Sequence, residues 1–211
     1  MDDTFTLFPM FSTPIGVIKI SKDIFDTESL LEKCIFNETQ DYSNGSYSTL
    51  AGGSDFISIL DYFPEEKKLL MSYFNIFKNE ALRLTTTDFK ITTSWVTKTI
   101  PGGYSQLHNH KNSVYSAVFY FDDVPGGKIS FESINIHNDS MLLNDPDEWT
   151  PYLGKAWVYP PEKNNMLIFP SSVFHSVTRN DSEQDRYSLV INLFPTGKIG
   201  QNDSYIDIAT T

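Results

Sequence analysis

Two of the chain's four histidines fall within three residues, in the stretch Ile100–His110, IPGGYSQLHNH. His108 and His110 stand at i and i+2, so on a β-strand their imidazoles share a face. Two such imidazoles, entered from a Pro-Gly-Gly turn, can grip one metal ion; the alternative is a pair of exposed histidines near a loop. Two later stretches carry further chemistry. Met166–Val177, MLIFPSSVFHSV, presents His175, and Asp185–Leu193, DRYSLVINL, presents Arg186 and Ser188. On a strand Arg186 and Ser188 share one face, while Tyr187, Leu189 and Ile191 turn the other way into packing. A guanidinium is a planar fork that pairs bidentately with a carboxylate, and a neighbouring hydroxyl adds a bond. The competing reading of Arg186 is a surface salt bridge with Asp185 or Glu183.

The order is H-x-H, a strand, a Gly126-Gly127 turn, a further strand, a lone histidine, then R-x-S eleven residues on. Over roughly Ser94 to Pro195 this ordered set resembles the 2-oxoglutarate/Fe(II)-dependent dioxygenases. It looks most like their small prolyl-4-hydroxylase-like members from bacteria and phages. The resemblance implies Fe(II) as metal, with His108, His110 and His175 as its ligands, and 2-oxoglutarate as cosubstrate. Arg186 and Ser188 would hold the far carboxylate of 2-oxoglutarate. Tyr104, Tyr115 and Lys98 are candidates for a further cosubstrate contact, and no spacing rule selects among them. The implied reaction consumes dioxygen, hydroxylates a C–H bond of a prolyl residue or another peptide, amino-acid or small-molecule substrate, and turns 2-oxoglutarate into succinate and CO2.

One position departs from the pattern, since the superfamily usually has a carboxylate where this chain has His110. If His110 does not ligate, Asp122, Asp123 or Glu132 would have to be recruited. Gly102-x5-His108-x-His110 and Pro170-x4-His175 also resemble the two cupin motifs, in which three-histidine Fe(II) sites occur. The cupin glutamate expected after His110 is absent, with Val114 and Tyr115 in its place, and a cupin reading leaves R-x-S unexplained. That alternative is a thiol dioxygenase, an isomerase or a non-catalytic binder.

The elements needed to position these residues are legible in outline. At 211 residues, 40% hydrophobic and 14% aromatic, the chain is long enough for one domain with a sizeable core. A net charge of −11 repels phosphate backbones and anionic membrane surfaces, so neither is expected as a partner. Cys34 is the only cysteine, which excludes an internal disulfide and suits a reducing compartment; its apolar neighbours make it a buried small side chain. MDDTFTLFP has neither a basic n-region nor an apolar h-region, no run reaches transmembrane length, and a cytoplasmic address is expected.

A strand is expected at Gly16–Ile20 and a helix over 26–37, followed by a loop over 38–54. A second helix opens at Pro64-Glu65-Glu66, with Leu69, Leu70, Tyr73, Phe74, Phe77 and Ala81 on one face. From residue 88 the period becomes two, with strands at Phe89–Thr99, Val114–Phe121, Lys128–Glu132, Lys155–Tyr159, Met166–Phe169, Phe174–Thr178 and Tyr187–Phe194. Residues 133–154, with His137, read as a long polar loop, and Trp95 and Trp157 as core or pocket wall. The expected fold is mainly β with buttressing helices, a double-stranded β-helix or jelly roll, with the metal at the barrel mouth. Residues 1–211 form one domain in this reading: helical support over 21–87, a β core over about 88–196 and a polar tail over 197–211.

Overall fold

The computed structural model describes residues 12–39, 43–50, 58–133, 147–148, 150 and 154–209. Its strands in chain order are β1 (Gly16–Lys19), β2 (Asn37–Glu38), β3 (Ser43–Ser48), β4 (Asp88–His108), β5 (Tyr115–Tyr120), β6 (Ile129–Glu132), β7 (Ala156–Tyr159), β8 (Asn165–Pro170), β9 (His175–Val177), β10 (Arg186–Ile199) and β11 (Ile206–Ile208). They pair antiparallel in the order β1-β8-β5-β10-β4-β9-β6-β7, with β3 also on β4. The row curls back on itself. β6 and β8 lie far apart in that order, yet the Phe131 ring is 4.9 Å from Phe169. The result is a double-stranded β-helix.

Alternation along the strands divides two apolar clusters. On β10, Leu189 and Ile191 face the helices, and Val190 faces the barrel interior with Val118, Ile129, Phe131, Leu167 and Phe169. The helical layer is α1 (Thr27–Glu32) and α2 (Pro64–Glu80). Pro64 takes the first helical position, and Glu65 and Glu66 sit where the helix dipole favours negative charge. Leu70, Phe74 and Phe77 are buried, with Phe74 against Phe89 at 5.1 Å and Tyr115 at 5.9 Å. Each such buried side chain contributes about 1.5–3 kcal/mol. No helix among the described residues is long and apolar enough to cross a membrane.

Strand β4 does most to shape the barrel. It pairs with β10 from Asp88 to Thr99 and with β9 from Ser105 to His108, so one strand runs through both sheets. The expected Pro-Gly-Gly turn is instead a kink at this crossover. Pro101 has no N–H to give a ladder, and the change of partner is where none is required. Gly102 takes φ +80°. Its N–H donates to Asn180 O at 2.6 Å, and Asn180 N–H donates to Gly103 O at 2.8 Å.

Three further expectations change. α1 stops at Glu32 rather than 37, because Asn37 and Glu38 pair with Ser48 and Tyr47. The loop expected over 38–54 contains β3, laid along β4 with Ser48 opposite Thr97; its Ser- and Gly-rich sequence hides a strand held by β4's open edge. Beyond Gly197, β10 runs on to Ile199 and closes a hairpin with β11. The long loop expected at 133–154, with His137, falls almost wholly outside the described residues.

Candidate metal centre

The antiparallel pairing of β4 with β9 sets His108 directly opposite His175. His110 lies just past the end of β4, where its N–H donates to Ser171 O at 3.0 Å. The three rings cluster, with centroid separations of 4.4 Å for His108–His175, 5.0 Å for His110–His175 and 5.6 Å for His108–His110. Each offers a nitrogen within 4.8 Å of the other two, a group able to hold a metal ion. It contains no carboxylate. Asp122, Asp123 and Glu132 are exposed, and Asp123 is engaged by the Lys163 N–H at 2.6 Å.

The free nitrogen on each ring is set by what the other one does. His108 Nδ1 lies 2.8 Å from Gln106 O, His175 Nδ1 3.0 Å from Val173 O, and His110 Nδ1 2.7 Å from Asn192 Oδ1. A carbonyl oxygen only accepts, so Nδ1 carries the proton and Nε2 keeps its lone pair. Burial holds the His175 imidazole neutral, pushing its pKa down to about 3, with His108 and His110 adding to the effect. Burial likewise takes His110 down to about 4, against the Asn192 hydrogen bond and with help from His108. Neutral imidazoles with Nε2 free are the form a first-row metal binds.

A cavity of about 190 Å³ runs from these histidines to Arg186, room for a small molecule rather than a single water. Arg186 is only 2% exposed, and its Nε has no hydrogen-bond partner. Its Nη1 donates to Ser188 Oγ at 3.2 Å, and the guanidinium carbon lies 5.1 Å from the centre of the Tyr120 ring. No carboxylate among the described residues pairs with it. Asp185, one of the two partners in the competing salt-bridge reading, is bound to Lys98 at 2.8 Å. Gly127, at φ +64°, passes so close that an added Cβ would stand 2.7 Å from Arg186 Cδ. The Gly-Gly turn is therefore what admits the arginine stem. A buried cation without a counter-charge costs several kcal/mol, so this corner fits an anion.

Beside Arg186 the expected Ser188 extends into a row of hydroxyls whose other two members sequence reading did not find. Ser188 on β10, Thr97 on β4 and Ser48 on β3 are cross-strand partners in register, and all three line the cavity. Thr97 shares strand parity with Trp95, another lining residue, but nothing in the sequence ties it to Ser188.

The remaining expected contacts lie elsewhere. Tyr115 is turned away from the site: its parity on β5 places it with Phe74, Phe77 and Phe89 in the helix-side core. Burial raises its hydroxyl pKa. Tyr104 is 37% exposed and does not line the cavity, and Lys98 is committed to Asp185.

Comparison with known proteins agrees with the geometry. Residues 93–192 match the family described as "Putative 2OG-Fe(II) oxygenase". No curated protein sequence matches. Among solved structures, a Pseudomonas putida prolyl-4-hydroxylase superposes with a TM-score of 0.53 at 15% identity, covering 86% of this chain and 92% of that one. HygX from Streptomyces hygroscopicus, solved with nickel, 2-oxoglutarate and hygromycin B, gives 0.56 at 12% identity, covering 87% and 84%. A Trichoplax adhaerens prolyl hydroxylase in complex with a hypoxia-inducible-factor peptide gives 0.55 at 16%, covering 85% and 83%. At these identities the structural likeness establishes the fold, and the family match adds what the fold alone cannot. The matched segment holds the three histidines, Thr97, Arg186 and Ser188, and over it the chain is similar to the 2-oxoglutarate/Fe(II)-dependent oxygenases, whose cofactors are Fe(II) and 2-oxoglutarate.

Proposed function

We propose that the protein is an Fe(II)/2-oxoglutarate-dependent hydroxylase acting on a C–H bond of a prolyl residue or another peptide or amino-acid substrate. One observation carries the reading: a buried guanidinium with no carboxylate partner among the described residues shares one small cavity with three clustered imidazoles. In this reading His108, His110 and His175 hold the iron through Nε2. Arg186 grips the far carboxylate of 2-oxoglutarate with its fork, and Ser188 and Thr97 add hydroxyl bonds. The bound metal and keto acid would supply oxidative chemistry with dioxygen as oxidant, one oxygen atom going to succinate as 2-oxoglutarate loses CO2 and the other to the hydroxylated substrate.

The protein's own residues provide position and dryness. The carbonyls behind His108 and His175 keep those rings from turning, and the apolar walls of Val118, Ile129 and Val190 exclude water from between the charged groups. The prolyl or peptide substrate class is supported by the fold shared with prolyl hydroxylases. We further read residues 1–211 as one domain and its address as the cytoplasm, consistent with an acidic chain holding one cysteine. The cupin alternative shares the three histidines but gives Arg186 no task.

Anaerobic addition of 2-oxoglutarate to the Fe(II) protein should produce a visible charge-transfer band. In air, succinate should form, faster with one member of a peptide and amino-acid panel. Tight Fe(II) binding without band or succinate would return the assignment to the cupin class.

A further inference from the structure

His108 and His175 are each held by a backbone carbonyl two residues earlier in the chain. His110 is held by side chains. Asn192 Oδ1 lies 2.7 Å and Ser116 Oγ 2.9 Å from its Nδ1, and these two groups are 2.8 Å apart. Asn192 and Ser116 are cross-strand partners on β10 and β5. Behind them, Ser116 Oγ meets Ser171 Oγ at 2.8 Å, and Ser171 meets Ser113 at 2.9 Å. Ser116 and Ser171 are wholly buried. On its other side β10 meets a bulge of β4: Asn192 and Leu193 face Thr93 and Ile91 and leave Thr92 over, while the pairing of β10 with β5 stays regular through Asn192.

We propose that Asn192 is the positioning residue that makes an imidazole usable at position 110. The proposal rests on the reading that His110 ligates the metal. As an obligatory acceptor, Oδ1 fixes the proton on Nδ1 and the ring plane, so that Nε2 points at His108 and His175. Ser116 backs the amide through the serine chain, closing a polar network across β5, β10 and the turn after β8. Being neutral, the amide adds no charge to a site with no carboxylate of its own. A carboxylate in its place would still accept from Nδ1 and would raise the ring's basicity.

The test is Co(II) titration of the full chain, followed by d–d absorption, with thermal unfolding of the metal-free protein alongside. Asn192→Leu should weaken Co(II) by about 10–100-fold, the usual cost of losing such a partner, and change the d–d spectrum. Asn192→Asp should bind at least as tightly as wild type; a clear loss would overturn the proposal, and this variant carries the test if Asn192→Leu does not fold. His110→Ala should weaken Co(II) alone, and adding Asn192→Leu should cost nothing more. An equal further loss in that background would show that Asn192 does not act through His110. A lowered melting temperature with wild-type affinity and spectrum would make Asn192 a packing residue only. Wild-type affinity in His110→Ala would overturn the three-histidine reading itself, separating that failure from the failure of Asn192's role.

Discussion

The two ends of the cavity are built in opposite ways. At the metal end every imidazole has its Nδ1 bonded, burial keeps two of the rings neutral, and the walls supply the partners. At the acid end a charged side chain is buried with Nε unpartnered, beside a row of hydroxyls. The metal end is assembled by the protein alone. In the proposed reading the acid end is completed by the far carboxylate of 2-oxoglutarate, and the desolvation cost of Arg186 is offset when that anion binds.

Substitutions at the two ends should therefore fail differently. His175→Ala should have the largest effect, abolishing Fe(II) binding and turnover, measured by metal analysis after desalting; full iron occupancy would refute the proposed ligand set. His110→Asp restores the superfamily's usual carboxylate and should keep metal binding. Arg186→Ala should weaken 2-oxoglutarate by about 2–5 kcal/mol, more than tenfold, while iron stays bound. Arg186→Lys should recover only part, since a point charge cannot make the fork. The melting temperature of the ligand-free Arg186→Ala protein should not fall, because the wild type gains no ion pair from that charge. A marked fall with unchanged 2-oxoglutarate affinity would make Arg186 structural.

Acid should strain the metal end first. The folded pKa values of His110 and His175 lie below the ordinary 6.5, at about 4 and about 3. As pH falls below 6.5 the unfolded chain takes up protons that the folded chain refuses. Stability of the metal-free protein is therefore full above about pH 6.5 and lost progressively toward pH 4 and below. Urea midpoints across that range should fall, and less steeply in His110→Ala. The smallest effect is expected from Thr97→Val, which removes one hydroxyl at nearly constant volume. It should cost about 1 kcal/mol of 2-oxoglutarate affinity, roughly fivefold, with no change in iron binding; an unchanged titration would remove Thr97 from the acid end.

How much of this was readable beforehand follows the same division. The R-x-S parity needed only period-two alternation, so Arg186 and Ser188 on the cavity face and Leu189 and Ile191 on the helix face were legible. So was the fold, from alternation, the Gly126-Gly127 turn and the order of the histidine and R-x-S strands. Tyr115 was misplaced because alternation says which residues share a face, not which face looks inward. Thr97, Ser48, Ser116 and Asn192 were invisible for another reason: each acquires its task from a strand register, and register is set by the whole curled sheet. β3 has little strand propensity of its own and forms because β4 offers an edge.

The long β4 strand has a further consequence. One continuous strand joins Thr97, beside Arg186, to His108, in the histidine cluster. The backbone spacing between the two residues is thus set by covalent geometry and two sheet registers. If Thr97 and His108 mark the two ends of the cosubstrate as proposed, the strand works as a gauge, and a dicarboxylic keto acid one carbon shorter or longer should bind more weakly than 2-oxoglutarate.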